Sequence, residues 1–159
     1  MTTRLTHLLT YDAPLAAVAA MLADPAFREA VCDAQRVLRR SVTVEPAGEG
    51  KRVRIDQVQA ATGLPSFATR LVGDEIEIVQ QEDWSTADQA SMTIAIPGKP
   101  GDIAGTIRLA EAGGVTTQTV DMTIKVGVPL VGGKMEGFVS DLLLKALKAE
   151  NRVGRDYLS

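Results

Sequence analysis

Cysteine and histidine are scarce in this sequence of 159 residues, which contains only Cys32 and His7. One cysteine cannot form an intrachain disulfide, and Cys32 and His7 together are too few ligands for a zinc site. A chain without disulfides suits a reducing compartment, so we expect a cytoplasmic protein. We also expect no metal and no cofactor, and any imidazole acid–base chemistry must use His7.

Aromatic residues make up only 4% of the chain, and the net charge is a modest −3. Basic residues cluster between positions 36 and 54, but no aromatic residue lies among them. Because a surface for nucleic acid combines positive charge with stacking rings, we expect no nucleic-acid partner. Ion pairs with the acidic stretch at 74–83 are the simpler account of these charges. No apolar run is long enough to span a bilayer, and the first residues lack the apolar segment of a signal peptide.

The overall composition is that of an ordinary globular protein, with 45% hydrophobic and 23% charged residues. A chain of this length can build a hydrophobic core without disulfides or metals. No linker or internal repeat divides it, so we predict a single domain over residues 1–159.

The N-terminal region carries one strand signal and two helix signals. Residues 4–11 alternate loosely and predict a strand, after which Asp12 is predicted to cap a helix that reaches Leu22. Asp24 and Pro25 form an N-cap followed by a proline in the first turn, which predicts a second short helix.

From about residue 42 the apolar residues recur at every second position, which is typical of antiparallel strands joined by tight turns. In the first hairpin, Val44 opposite Val53 puts the aliphatic side chains on one face and pairs opposite charges on the other. The turns at 97–101 and 113–114 predict two more hairpins, whose inner faces agree. Their predicted pairs are Ile96 with Ile103, Met92 with Ile107, Ala112 with Val115, Ile107 with Val120, and Ile103 with Ile124.

The segment GVPLVGGKM at 127–135 precedes a long helix that is predicted from about Leu130 to Asn151, and a continuation into the tail stays open. Its glycines and lysine raise the question of a phosphate-binding loop at a helix N-terminus. That pattern fails, because Val128 stands where a glycine is required and Met135 where Ser or Thr should follow the lysine. We interpret the segment as a sharp turn that releases the helix back onto the sheet.

Three stretches carry a resemblance to a known superfamily: ADPAF at 23–27, QEDW at 81–84 and GVPLVGGKMEGFV at 127–139. Together with the order of the predicted elements, they resemble the START / birch-pollen-allergen-like (helix-grip, SRPBCC) superfamily and, within it, an actinobacterial family of uncharacterised proteins. The resemblance implies an α+β helix-grip fold, in which a curved antiparallel β-sheet of about six to seven strands wraps around a long C-terminal α-helix. It also implies two short helices after the first strand and an apolar cavity between the sheet and the long helix.

The residues predicted to face this cavity are mostly aliphatic or methionine, a wall that suits flexible acyl or isoprenoid chains better than planar rings. We therefore predict that the protein binds or carries a small hydrophobic ligand, such as a lipid, a fatty acid or an isoprenoid-like molecule. The predicted ligand-binding residues are His7, Leu9, Arg40, Ile55, Gln57, Ile78, Met92, Ile107, Val120, Met122, Met135, Phe138 and Leu142.

Some of the residues predicted to face inward are polar. Arg40 opposite Gln57 would offer a bidentate anchor to a ligand carboxylate or phosphate. The alternative for Arg40 is a strand-end residue with its head in solvent or paired with Glu82. The other polar residues on the inner face are His7, Gln80, Glu82 and Gln118.

Two other functions stay open at this point. An enzyme of cyclase or hydrolase type could use the same cavity, with His7, Glu82 or Asp56 as acid or base. No reactive constellation is evident, however, so binding is favoured over catalysis and we predict no catalytic residue. A domain with a filled core that recruits a partner protein would have no cavity large enough for a ligand. The sequence does not indicate an oligomeric state.

Overall fold

The computed structural model describes residues 2–159, which form seven β-strands and four α-helices. The strands are β1 (Thr3–Tyr11), β2 (Arg39–Ala47), β3 (Gly50–Ala60), β4 (Glu75–Thr86), β5 (Gln89–Ala95), β6 (Asp102–Ala112) and β7 (Val115–Lys125). The helices are α1 (Leu15–Leu22), α2 (Pro25–Ala34), α3 (Ser66–Val72) and α4 (Gly132–Leu158). All seven strands join one antiparallel sheet in the order β1-β7-β6-β5-β4-β3-β2. The curved sheet and the long C-terminal helix confirm the predicted α+β helix-grip fold.

The predicted registers of the first and last hairpins are confirmed. Val44 pairs with Val53 between β2 and β3, and Ile107 pairs with Val120 between β6 and β7. Both hairpins turn within a few residues, so the turn and the alternation of side chains together leave one register available. The inward face of the sheet is therefore the one that the sequence indicates.

The predicted register of the β5–β6 hairpin is wrong by two residues. Ile94, not Ile96, pairs with Ile103, because β5 ends at residue 95 and Ile96 lies in the connecting loop. A shift of two residues leaves every side chain on the same face of the strand. For that reason the apolar alternation could not reveal the error.

Both short N-terminal helices are present, but the first one has a different cap from the one predicted. Pro14 occupies the N-cap position of α1 in an extended conformation, and Asp12 does not cap the helix. The backbone amide of Leu15 instead donates to the carboxylate of Glu111 on β6, at 2.6 Å. Asp24 caps α2 as predicted, by accepting a hydrogen bond from the amide two residues further on.

The junction between β7 and α4 agrees with the interpretation of this segment as a sharp turn. A Cβ atom on Gly132 would lie 2.5 Å from the carbonyl oxygen of Val126, so the close approach requires glycine. The buried carboxylate of Glu136 accepts hydrogen bonds from the Val126 amide and the Thr3 hydroxyl, each at 3.0 Å. From this junction α4 continues to residue 158, about two turns beyond Asn151, so the helix extends into the tail.

The helix α3 has only seven residues and is not predicted by the sequence pattern. It begins after Pro65 and ends at Gly73, whose φ is 77°. The ring of Phe67 meets that of Phe138 on α4 edge-on, with 6.3 Å between the ring centroids. A helix this short spans about two turns, too few for its apolar period to stand out in the sequence.

Candidate ligand-binding cavity

A cavity of about 590 Å³ lies between the inner face of the sheet and α4, and residues of α2 and α3 complete its wall. Its volume falls within the range that small-molecule sites occupy in proteins. Most of the wall is aliphatic or methionine, as the sequence predicted, and a minority of polar side chains lies among the apolar ones.

Ten of the thirteen predicted ligand-binding residues line this cavity. Those on the sheet are Ile55, Gln57, Ile78, Met92, Ile107, Val120 and Met122. Those on α4 are Met135, Phe138 and Leu142. Three polar residues predicted to face inward, Gln80, Glu82 and Gln118, line it as well. Contact of any of these side chains with a ligand stays a prediction.

The placement of His7 and Leu9 on the cavity wall is wrong. Both lie on β1, which is an edge strand packed directly against the C-terminal part of α4. The approach is so close that a Cβ atom on Gly154 of α4 would lie 2.6 Å from the ring of Tyr11. Leu9 is fully buried and His7 is half-buried, but neither borders the cavity.

Arg40, predicted as an anchor for a ligand, does not border the cavity either. Its Cα pairs with that of Gln57 as predicted, but its side chain lies outside the cavity. The guanidinium bonds the carboxylates of Asp33 and Glu29 on the exposed face of α2, each at 2.7 Å. β2 is an edge strand beside α2, so these acids are within easier reach of Arg40 than Glu82 is. The hydrogen bond from Arg40 holds the pKa of Asp33 below its ordinary value.

A buried ion pair between Arg28 and Glu82 stands at the polar part of the cavity wall. The Arg28 guanidinium donates to both carboxylate oxygens of Glu82, at 2.9 and 2.7 Å, and its Nε donates to the Leu22 carbonyl at 2.9 Å. Glu82 also accepts from the indole of Trp84 at 2.9 Å and the amide of Gln80 at 2.6 Å. Each oxygen of this carboxylate therefore has two donors, as a buried charge requires.

A second carboxyl group, that of Glu150 on α4, lies beside this ion pair. Its Oε2 accepts from Nε2 of Gln118 on β7 at 3.0 Å, and its Oε1 is 3.9 Å from Nη1 of Arg28. The latter distance exceeds a hydrogen bond. Oε1 of Gln118 is buried and has no hydrogen-bond partner within residues 2–159.

The two carboxyl groups differ in pKa because their surroundings differ. Burial favours the neutral form of both, but the charge and hydrogen bonds of Arg28 outweigh it at Glu82, and the pKa of Glu82 lies below its ordinary value. At Glu150, burial and the negative charge of Glu82 together exceed the opposing effects of Arg28 and Gln118. The pKa of Glu150 is therefore raised above its ordinary value.

Arg28 and Glu150 are the functional candidates that the sequence analysis missed. Both carried a signal, because each stands at helical spacing from apolar residues on the buried face of its helix. Arg28 is four residues before the buried Cys32, and Glu150 is four residues after Ala146 in the apolar stripe of α4. A charged residue within such a stripe points to a buried partner, but the sequence does not say which one.

Cys32 is a buried thiol on the cavity wall, and burial raises its pKa, which makes it a weak nucleophile. Within residues 2–159, no three side chains of His, Cys, Asp or Glu are arranged to hold a metal ion. In the same part of the chain, none of the helices has the length and apolarity needed to cross a membrane.

A curved antiparallel sheet around a long C-terminal helix, with an apolar cavity between them, defines the helix-grip fold, which is the fold of START and birch-pollen-allergen proteins. Solved structures share this fold. A protein of Thermus thermophilus, TTHA0849, is 18% identical, with a TM-score of 0.67 and coverage of 99% of this chain and 100% of that one. A START superfamily protein of Mycobacterium smegmatis is 14% identical, with a TM-score of 0.63 and coverage of 98% and 99%. Ara h 8.0201 is 11% identical, with a TM-score of 0.61 and coverage of 95% and 96%.

Within this class, the chain belongs to the family described as protein of unknown function (DUF2505), whose model matches residues 6–158. It is similar to the uncharacterized protein Rv0481c of Mycobacterium tuberculosis, with 28% identity over 103 residues. Mb0491c of Mycobacterium bovis shows the same identity over the same length. In each case the match covers 60% of this chain and 59% of the relative, so the chain spans about three-fifths of the length of these curated relatives.

Proposed function

We propose that the protein binds a small hydrophobic molecule in the cavity between the sheet and α4, as one domain over residues 1–159. The observation that carries the proposal is the cavity itself, with its volume of about 590 Å³ and its mainly apolar wall. Burial of apolar surface from water is the main source of affinity for such a ligand. The fold that the chain shares with a START superfamily protein supports the proposal at the level of architecture alone.

The shape and chemistry of the wall favour a flexible ligand, such as an acyl or isoprenoid chain. Met92, Met122 and Met135 all border the cavity, and unbranched thioether side chains adapt to irregular shapes. A partner-binding domain with a filled core is disfavoured, because that hypothesis requires that no such cavity exist. The cytoplasmic location stays a prediction from the sequence.

Native mass spectrometry of gently purified protein, followed by organic extraction and identification of any bound molecule, tests the proposal. We expect a stoichiometric adduct that is released by organic solvent. Ala146→Phe fills part of the cavity and is expected to lose the adduct. Ala104→Phe makes the same change on the exposed face of β6 and is expected to retain it. A clean apo mass, combined with no uptake of a hydrophobic fluorescent dye, would contradict the proposal.

Catalysis in the same cavity is a second candidate, and the observation that favours it is the carboxyl group of Glu150 on the mainly apolar cavity wall. Burial raises the pKa of this carboxyl group, which is the direction that favours a general acid. The test is to incubate the extracted ligand with the wild-type protein and with Glu150→Gln. Conversion by the wild type alone would support catalysis, whereas a ligand that both proteins leave unchanged would contradict it.

A further inference from the structure

Gln118 borders the cavity, and the carbonyl oxygen of its side chain lacks a hydrogen-bond donor in the described part of the chain. Gln118 lies on β7, borders the cavity and is 2% exposed. Its amide nitrogen donates to Glu150 at 3.0 Å, but Oε1 has no donor among the described residues. A buried acceptor without a donor carries a desolvation penalty, which a bound molecule with a donor group would remove. Within residues 2–159, no other side-chain atom of the cavity wall is buried and unpartnered in this way.

The charges around Gln118 restrict what that donor group can be. One guanidinium, Arg28, faces two carboxyl groups, and both oxygens of Glu82 are already bonded to it. The second carboxyl group, Glu150, holds Gln118 from the other side. A ligand carboxylate at this point would lie beside two carboxyl groups, and the guanidinium of Arg28 already donates to Glu82 and to the Leu22 carbonyl, so a charged acidic head is disfavoured.

We propose that the cavity selects molecules with a hydroxyl head, which donates to Oε1 of Gln118 while the apolar body fills the aliphatic part of the cavity. This inference rests on the proposed function and specifies the ligand class as long-chain or polycyclic alcohols. A hydroxyl is uncharged, and it both donates and accepts, so it matches the Gln118 amide in either orientation about its terminal torsion. Burial and the charge of Glu82, which raise the pKa of Glu150, would in the same way disfavour a negatively charged head at this point.

In the main competing arrangement, the ligand has a carboxylate head that lies in a positively charged environment. Lys145, Lys148 and Arg152 of α4 border the cavity on its solvent-exposed rim. A fatty acid could bind with its carboxylate among these cations and its tail inside. The two arrangements predict different rankings of ligands that share one chain and differ in the head.

The test uses dodecanol, its methyl ether, laurate and dodecylammonium as probes that displace a hydrophobic fluorescent dye. The ether has almost the shape of the alcohol but cannot donate a hydrogen bond. In the wild type we expect the alcohol to bind about five- to tenfold more tightly than the ether. We expect this ratio to fall to about one in Gln118→Met, which keeps the volume but removes the acceptor. Gln59→Met makes the same change at another position of the wall and should leave the ratio intact.

Equal affinities of alcohol and ether in the wild type would overturn the proposal, and this comparison is decisive even if Gln118→Met does not fold. Laurate or dodecylammonium as the tightest probe would also overturn it, in favour of a charged head. An alcohol preference that persists in a folded Gln118→Met protein would show that the hydroxyl does not bind Gln118, and it would also overturn the proposal. If neither the dye nor any probe binds, the proposed function itself fails, and that result differs from each of the others.

Discussion

Arg28 on α2 and Glu82 on β4 form a bidentate ion pair inside the protein, with nitrogen–oxygen distances of 2.9 and 2.7 Å. The two side chains are 2% and 1% exposed. Because the residues are 54 positions apart, the pair fixes the helical layer to the sheet beside the cavity. Removing two charges from water costs about as much as their attraction returns. We therefore expect the pair to define the position of α2 more than to add net stability.

The first prediction concerns the stability of this ion pair. Arg28→Met leaves Glu82 as an uncompensated buried charge and should lower the free energy of unfolding by about 3–5 kcal/mol. The double variant Arg28→Met with Glu82→Gln removes the charge and keeps an acceptor for Trp84, so it should regain most of the loss. Urea unfolding measures both. A single variant as stable as the wild type would show that the pair is not buried as described.

The second prediction concerns the pH dependence that Glu150 causes. Burial and the charge of Glu82 raise its pKa above 4.5, so between that value and the raised pKa the folded protein binds a proton that the unfolded chain has released. Stability therefore falls as pH rises through this range. Glu150→Gln removes the effect, and its stability relative to the wild type should be greater at about pH 7 than at about pH 4. Thermal unfolding at the two pH values checks this, and an equal difference at both would contradict it.

The third prediction compares two glycines of α4. A Cβ atom on Gly154 would lie 2.6 Å from a ring carbon of Tyr11, so Gly154→Ala should destabilise the protein by about 1–3 kcal/mol. A Cβ atom on Gly137 would meet no atom within 4 Å. Gly137→Ala should therefore stabilise the protein by up to about 1 kcal/mol through helix propensity. The opposite order of the two variants in chemical unfolding would contradict the close packing of β1 on α4.

The fourth prediction compares Ile78, which lies on the cavity wall, with Arg40, which lies outside it. Ile78→Lys places a charge on the wall and should weaken the binding of a hydrophobic dye by at least about tenfold. Arg40→Gln should leave the dye affinity unchanged, because the guanidinium of Arg40 bonds Glu29 and Asp33 outside the cavity. Fluorescence titration measures both variants, with circular dichroism as the check on folding. A loss of dye affinity in Arg40→Gln would show that Arg40 contributes to binding.

Much of the fold followed from local features of the sequence. A tight turn and an alternating pattern together defined the β2–β3 and β6–β7 registers, and Asp24 with Pro25 marked the start of α2. Where the connection was longer, as at residues 96–101, the same alternation allowed a slip of two residues. A period of two specifies the face of a strand but not its position along the neighbouring strand.

Some features of the candidate site could likewise be predicted from the sequence, whereas others are visible only in the structure. The sequence by itself determined which side chains face inward, including Gln118 and most of the apolar wall, because parity along a strand is a local property. Only the tertiary structure decided where the inner face borders a cavity and where it packs on α4, as it does at Tyr11. It alone also joined Arg28 to Glu82 and Glu150. These outcomes depend on distances between elements that are remote in the chain, which local periodicity does not encode.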